Sequence, residues 1–217
     1  MALFLLCRRS RGANAPIFST ARYNQRKLMS SLRICAAVLL LLPFGKADVQ
    51  GCLCDITRPE TMAARECSLC REAEARSESS QFFFIRDINP NKPTRLLALP
   101  RFHGEKPQHL AGMTPELRTA YWTAAIGKAR ELWGDRWGLA VNNLERRTQC
   151  HMHIHIDELI SGSEDDRFVI VDGPAQIPLP AEGDGLWVHP VADKLHVHHG
   201  NTAPELLLQH LTPKPKE

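Results

Sequence analysis

Residues His151-Met152-His153-Ile154-His155-Ile156 alternate strictly between imidazole and apolar side chains. In an extended strand successive side chains point to opposite faces, so His151, His153 and His155 share one face while Met152, Ile154 and Ile156 share the other. Such a strand needs an apolar layer on one side and a use for three imidazoles on the other. A sheet with a covered face meets the first requirement. The cover is legible upstream, where Thr114-Pro115-Glu116 offers an N-cap, a proline in the first turn and an acidic residue that suits the helix dipole. Leu117, Tyr121, Ala124, Ala125, Leu132 and Trp133 then recur at helical spacing up to Gly134.

Phe82-Phe83-Phe84-Ile85 and Leu96-Leu97-Ala98-Leu99 read as strands on either side of the loop Asn89-Pro90-Asn91-Lys92-Pro93, and Trp137 to Val141 and Cys150 to Ile156 read as two more. The order from residue 82 is strand, strand, helix, strand, strand. This predicts an α+β fold, an antiparallel sheet with a long helix packed on one face. Phe168 to Val171, Leu186 to Val188, Leu195 to Val197 and a short helix from Pro204 to Leu211 read as a strand-rich C-terminal extension of the same domain, because about 50 residues seldom form an independent core. A helix is also expected from Pro59 to about Ala75, with Cys67 and Cys70 one turn apart on one face. The expected organisation is a leader over 1–47, a Cys-containing helical segment over 48–80, an α+β core over 81–160 and the extension over 161–217.

Charge is distributed unevenly. No acidic residue precedes Asp48, whereas eight of the 27 Lys and Arg do; from Asp48 onward 19 basic residues face 24 acidic ones, a net charge of −5. The part that folds therefore lacks the basic footprint of a nucleic-acid binder. Arg33 precedes an apolar run from Ile34 to Phe44, long enough for a signal-peptide core and too short to span a bilayer. Gly45-Lys46-Ala47 places small residues for cleavage after Ala47, and Met29 stands where a normal secretory signal would start. An organellar presequence is the alternative for the Arg-, Ser- and Ala-rich residues 1–28. Val49-Gln50-Gly51-Cys52 loosely resembles a lipoprotein cleavage box but lies well beyond the apolar run. An exported protein, periplasmic or membrane-associated, is expected.

The triad strand has company. Asp87-Ile88-Asn89-Pro90, Pro93-Thr94, Leu97-Ala98-Leu99-Pro100 and His103 precede it in an order and spacing that, with His-x-His-x-His, resemble the histidine-triad (HIT) superfamily. The resemblance covers about Phe82 to Ile156. Arg95 departs from it, because many members carry histidine there. Within the superfamily, Asn142 and Arg147-Thr148-Gln149-Cys150-His151 look most like the CDP-diacylglycerol pyrophosphatases.

That resemblance implies an exported hydrolase that cleaves CDP-diacylglycerol to CMP and phosphatidate at a membrane surface. His153 would be the nucleophile that forms a nucleotidyl-histidine intermediate, His155 would hydrogen-bond the phosphate, and His151 would orient the site or bind metal. Asn142, Thr148 and Gln149 would donate to phosphate oxygens, with Arg147 as a charged contact or an ordinary ion pair. Asp87 would bind the ribose beside Ile88 at the base, or else cap its loop. Homodimers are common among such relatives. A generic HIT hydrolase or transferase acting on dinucleoside polyphosphates or nucleoside phosphoramidates is the close variant.

No cofactor is required for that chemistry, but a structural zinc ion is a further expectation. In some HIT relatives a Cys-x-x-Cys, a His after the hairpin and the first triad His bind zinc, which here are Cys67, Cys70, His103 and His151. Disulfides among Cys52, Cys54, Cys67 and Cys70 are the competing reading. His189, His196, His198 and His199 could bind metal but carry no motif, and are read as exposed hairpin residues. A periplasmic zinc-binding protein is the alternative from another class, motivated by ten histidines and two cysteine pairs.

Overall fold

The computed structural model describes residues 49–76, 81–101, 103 and 108–209. The expected leader, with its start at Met29 and cleavage after Ala47, lies outside them. Within the described residues the fold is α+β. Strands β1 (Phe82–Arg86), β2 (Leu96–Pro100), β3 (Trp137–Val141), β4 (Ile154–Glu158), β5 (Phe168–Val171), β6 (Leu186–Val191) and β7 (Lys194–His198) form one antiparallel sheet in the order β1-β2-β4-β3-β6-β7-β5. The α-helices among the described residues are α1 (Ser68–Glu74) and α2 (Pro115–Trp133).

Alternation along each strand sorts the side chains onto two faces. Leu139 and Val141 of β3, Ile154 and Ile156 of β4, Val188 of β6 and Val197 of β7 are buried in one cluster with Tyr121, Trp122, Ala125, Ile126 and Ala129 of α2. Full burial of each such Ile or Val contributes about 1.5–3 kcal/mol. Thr114 caps α2 by accepting from the Leu117 amide at 3.2 Å, and Tyr121 donates its hydroxyl to the Ala98 carbonyl at 2.6 Å.

On the opposite face the strand register aligns Leu97, His155, Ala140, Trp187, His198 and Phe168 in one row. Its two flanks have different covers. Leu69 and Ala73 of α1 pack with Phe83, Leu97 and Leu99, while Leu208 packs with Ala140, Trp187, Leu159 and Leu207. Gly138 admits Leu208, because a Cβ there would lie 2.6 Å from Leu208 Cδ2. β4 and its imidazole lie between these covers. β6 and β7 join through a tight turn in which Val191 pairs with Lys194 and Ala192 holds a positive φ of 53°.

Three expected elements are corrected. The helix from Pro59 to Ala75 is two short 3₁₀ turns, Thr61–Ala63 and Arg65–Cys67, before α1 begins, with Ala64 extended between them. Side chains take over the backbone groups there: Arg71 donates to the Met62 and Ala64 carbonyls, and Thr61 donates to the Arg58 carbonyl at 2.8 Å. The strand expected from Cys150 starts only at Ile154. The segment before it cannot join a ladder, since the Cys150 amide donates to Glu66 and the Met152 amide to the Gln108 side chain. The expected tail helix is a 3₁₀ turn over Pro204–Leu207, and residues 210–217 lie outside the described residues.

Candidate active site

The loop between β3 and β4 carries the histidines into place. Its organiser is Arg147, buried at 6 % exposure, which donates to the carbonyls of Gln108 (2.5 Å), Gln149 (3.2 Å), Cys150 (3.1 Å) and His151 (3.0 Å). Burial lowers its pKa to about 10, which leaves it a cation at neutral pH. A disulfide from Cys52 to Cys150 ties the same loop to the N-terminal segment, and a second joins Cys54 to Cys67. Pairing confined to the first four cysteines is thereby corrected for Cys52, whose partner comes from the triad loop.

Within this frame the three imidazoles are buried and differ in role. His151 holds the Pro100 carbonyl through Nε2 at 2.7 Å, and its Nδ1 is buried without a hydrogen-bond partner among the described residues. His153 places Nδ1 2.9 Å from the His151 carbonyl oxygen. A carbonyl only accepts, so Nδ1 carries the proton and Nε2 of the neutral ring holds the lone pair. His155 packs edge-on against His153 with ring centroids 4.8 Å apart, and neither of its nitrogens has a hydrogen-bond partner among the described residues. Burial pushes His151 down to about 3. His153 and His155 are also held well below the usual histidine range, by burial first, then by the adjacent His155 and by Arg147 for His153, and by Arg95 and Lys92 for His155. All three are neutral at neutral pH.

Beside His155 lies a buried charged network. Arg95, 4 % exposed, pairs with Asp87 Oδ2 at 2.5 Å and with Glu205 Oε2 at 2.7 Å, and the same Glu205 oxygen is 3.6 Å from His155 Nδ1. Thr94 donates to Asp157 at 3.1 Å, and Lys92 donates to the Leu208 carbonyl at 3.4 Å. Burial lowers the Lys92 pKa and raises that of Asp157.

The sequence matches no protein-family model, and no curated protein matches it.

The other expected site residues divide. Asn142 accepts from the Glu205 amide through Oδ1 at 3.3 Å, and it lies two residues beyond the Ala140–His155 pair, on the imidazole face. Thr148 and Ile88 are exposed, Ile88 at 93 %. Arg147, expected at a phosphate, is instead a clamp on carbonyls. Gln149 is likewise turned away from a phosphate: its Oε1 accepts from Ser68 Oγ at 2.8 Å and the Leu69 amide at 3.3 Å, capping the start of α1. Asp87 caps its loop by accepting from the Asn89 amide at 2.8 Å while it holds Arg95. A cavity of about 420 Å³ borders Asn142, Arg147 and Met152 and is lined by none of the triad imidazoles.

The four-residue zinc set does not fit, because Cys67 is bonded to Cys54. Cys70, His103 and His151 remain within 4.8 Å of one another, three ligands where a closed structural site takes four. His189, His196 and His198 are corrected from exposed to buried, at 5 %, 9 % and 0 % exposure. Sequence reasoning gave no role to Lys92, Gln108, Asp157 or Glu205. Only Arg95 carried a signal, as a departure from the HIT pattern.

Proposed function

We propose that the protein is an exported hydrolase of nucleotide phosphoanhydrides of the HIT type, its sheet carrying the long helix on one face and His155, with His153 packed against it, on the other, and that it cleaves CDP-diacylglycerol to CMP and phosphatidate. The observation that carries this reading is the contact of His153 Nδ1 with the His151 carbonyl, which leaves Nε2 as a neutral nucleophile. Nε2 attacks the cytidylyl phosphorus, and the P–O bond to phosphatidate breaks with its electron pair. The ring becomes cationic, and its Nδ1–H bond to the His151 carbonyl strengthens as that charge develops. Water then attacks phosphorus, the P–N pair returns to Nε2, CMP leaves and a proton passes to solvent. His155, with both nitrogens uncommitted, hydrogen-bonds a phosphoryl oxygen, and Asn142 donates through its amide.

Two disulfides support export, since such bonds persist in oxidising compartments. Among the described residues no helix is long and apolar enough to cross a membrane. The test is to incubate oxidised protein with CDP-diacylglycerol, dinucleoside polyphosphates and nucleoside phosphoramidates, and to seek a nucleotidyl adduct on His153 by mass spectrometry. CMP release from the liponucleotide and an adduct missing in His153→Ala are expected. Turnover of the soluble substrates alone reassigns the substrate, and no product from any of them overturns the reading.

A further inference from the structure

A second histidine cluster stands on the same sheet face, three strands from His155 along the row His155, Ala140, Trp187, His198. Strand spacing puts that separation at about 14 Å. The β6–β7 register pairs His189 with His196 and Trp187 with His198, so all three imidazoles project to one side of the hairpin. Glu164, in the segment before β5, reaches over them.

Their mutual distances are those of ligands around a small ion. His189 Nε2 lies 3.1 Å from His198 Nε2 and 3.6 Å from Glu164 Oε1, and His196 Nδ1 lies 2.7 Å from that same oxygen. All four ligand atoms fall within 4.8 Å of one another. Tetrahedral zinc with bonds of about 2.0–2.1 Å sets its ligand atoms roughly 3.3–3.4 Å apart. The surroundings fix the rings: His198 Nδ1 donates to Asp165 Oδ1 at 3.0 Å, which turns the Nε2 lone pair toward His189. Trp187 stacks on His198 at 3.7 Å, and Phe168 stacks on His196 at 4.4 Å. The two facing nitrogens share a proton when no ion is bound, and a cation that displaces that proton takes a lone pair from each.

We propose that His189, His196, His198 and Glu164 bind a divalent transition-metal ion. Three imidazoles and one carboxylate suit zinc over calcium or magnesium, which prefer oxygen ligands. The ion fastens the segment before β5 to the β6–β7 hairpin and stands apart from the triad. Glu164, with its side chain 46 % exposed, gives it a route to solvent.

The experiment loads chelator-stripped, oxidised protein with Zn²⁺ and with Co²⁺. One equivalent of tightly held zinc is expected, with a tetrahedral Co²⁺ spectrum free of thiolate charge transfer. Cys70→Ser leaves both unchanged, His196→Ala loses the ion, and Asp165→Asn weakens binding by about 10–100-fold. Should His196→Ala fail to fold, Glu164→Gln at its half-exposed position takes its place and must also weaken binding. No bound zinc, binding unchanged by His196→Ala or Glu164→Gln, or a thiolate band lost in Cys70→Ser overturns the proposal.

Discussion

His153 Nδ1 and the backbone carbonyl oxygen of His151 are 2.9 Å apart, so one histidine's main chain sets the tautomer of the next. His153→Ala is expected to lower turnover by on the order of 10⁴-fold or more while leaving the melting temperature close to that of the parent. Steady-state kinetics and thermal melts on the same preparation check both. Retained turnover would remove His153 from the chemistry.

The lowered pKa values of His153 and His155 have a kinetic consequence. An ordinary histidine nucleophile loses activity as pH falls through about 6.5. Here the rings stay neutral below that value, so kcat/KM measured from about pH 8 to about pH 6 is expected to stay flat on their account. Stability follows a different course. Because the unfolded state takes up protons at about 6.5 while folded His151 resists until about 3, its contribution is complete above about 6.5 and lost as pH falls toward 3. Denaturant melts at neutral and mildly acidic pH test the sign.

Arg147 separates a structural from a binding role. Arg147→Lys cannot span four carbonyls, and the buried oxygens it abandons are expected to cost about 3 kcal/mol in urea unfolding. A raised KM with unchanged stability would instead restore it as a phosphate contact.

The alternation of Ile154, His155 and Ile156 is legible because strand periodicity is local, and the α2 cap at Thr114 is legible for the same reason. His151 and His153 are legible as residues but not as strand, since Arg147 and Gln108 claim the backbone around them. Glu205 reaches Arg95 from far along the chain, and nothing local marks such a contact. Cysteine spacing does not determine pairing, so Cys150 gave no sign of joining Cys52. The hairpin histidines looked exposed because their cover, Trp187 over His198 and Phe168 over His196, comes from neighbouring strands.

The Cys52–Cys150 bond closes a separation of 98 residues. Cys52→Ser is expected to destabilise the protein by about 4–5 kcal/mol, read by denaturant unfolding, and to lower activity through the loop that holds His151 and His153. Activity indifferent to this change would detach the loop's position from the cross-link.

Ala192 holds a left-handed conformation that glycine adopts freely. Ala192→Gly is expected to raise stability by about 0.5–1 kcal/mol in thermal unfolding, with no effect on the triad.

The imidazoles around β4 are gripped from both directions along the chain, by Cys52 through Cys150 and by Glu205 through Arg95. A nascent product interrupted before Glu205, or one still reduced, therefore lacks part of the site's frame. The arrangement around β4 is therefore complete only in a chain that extends past residue 205 and has formed the Cys52–Cys150 bond.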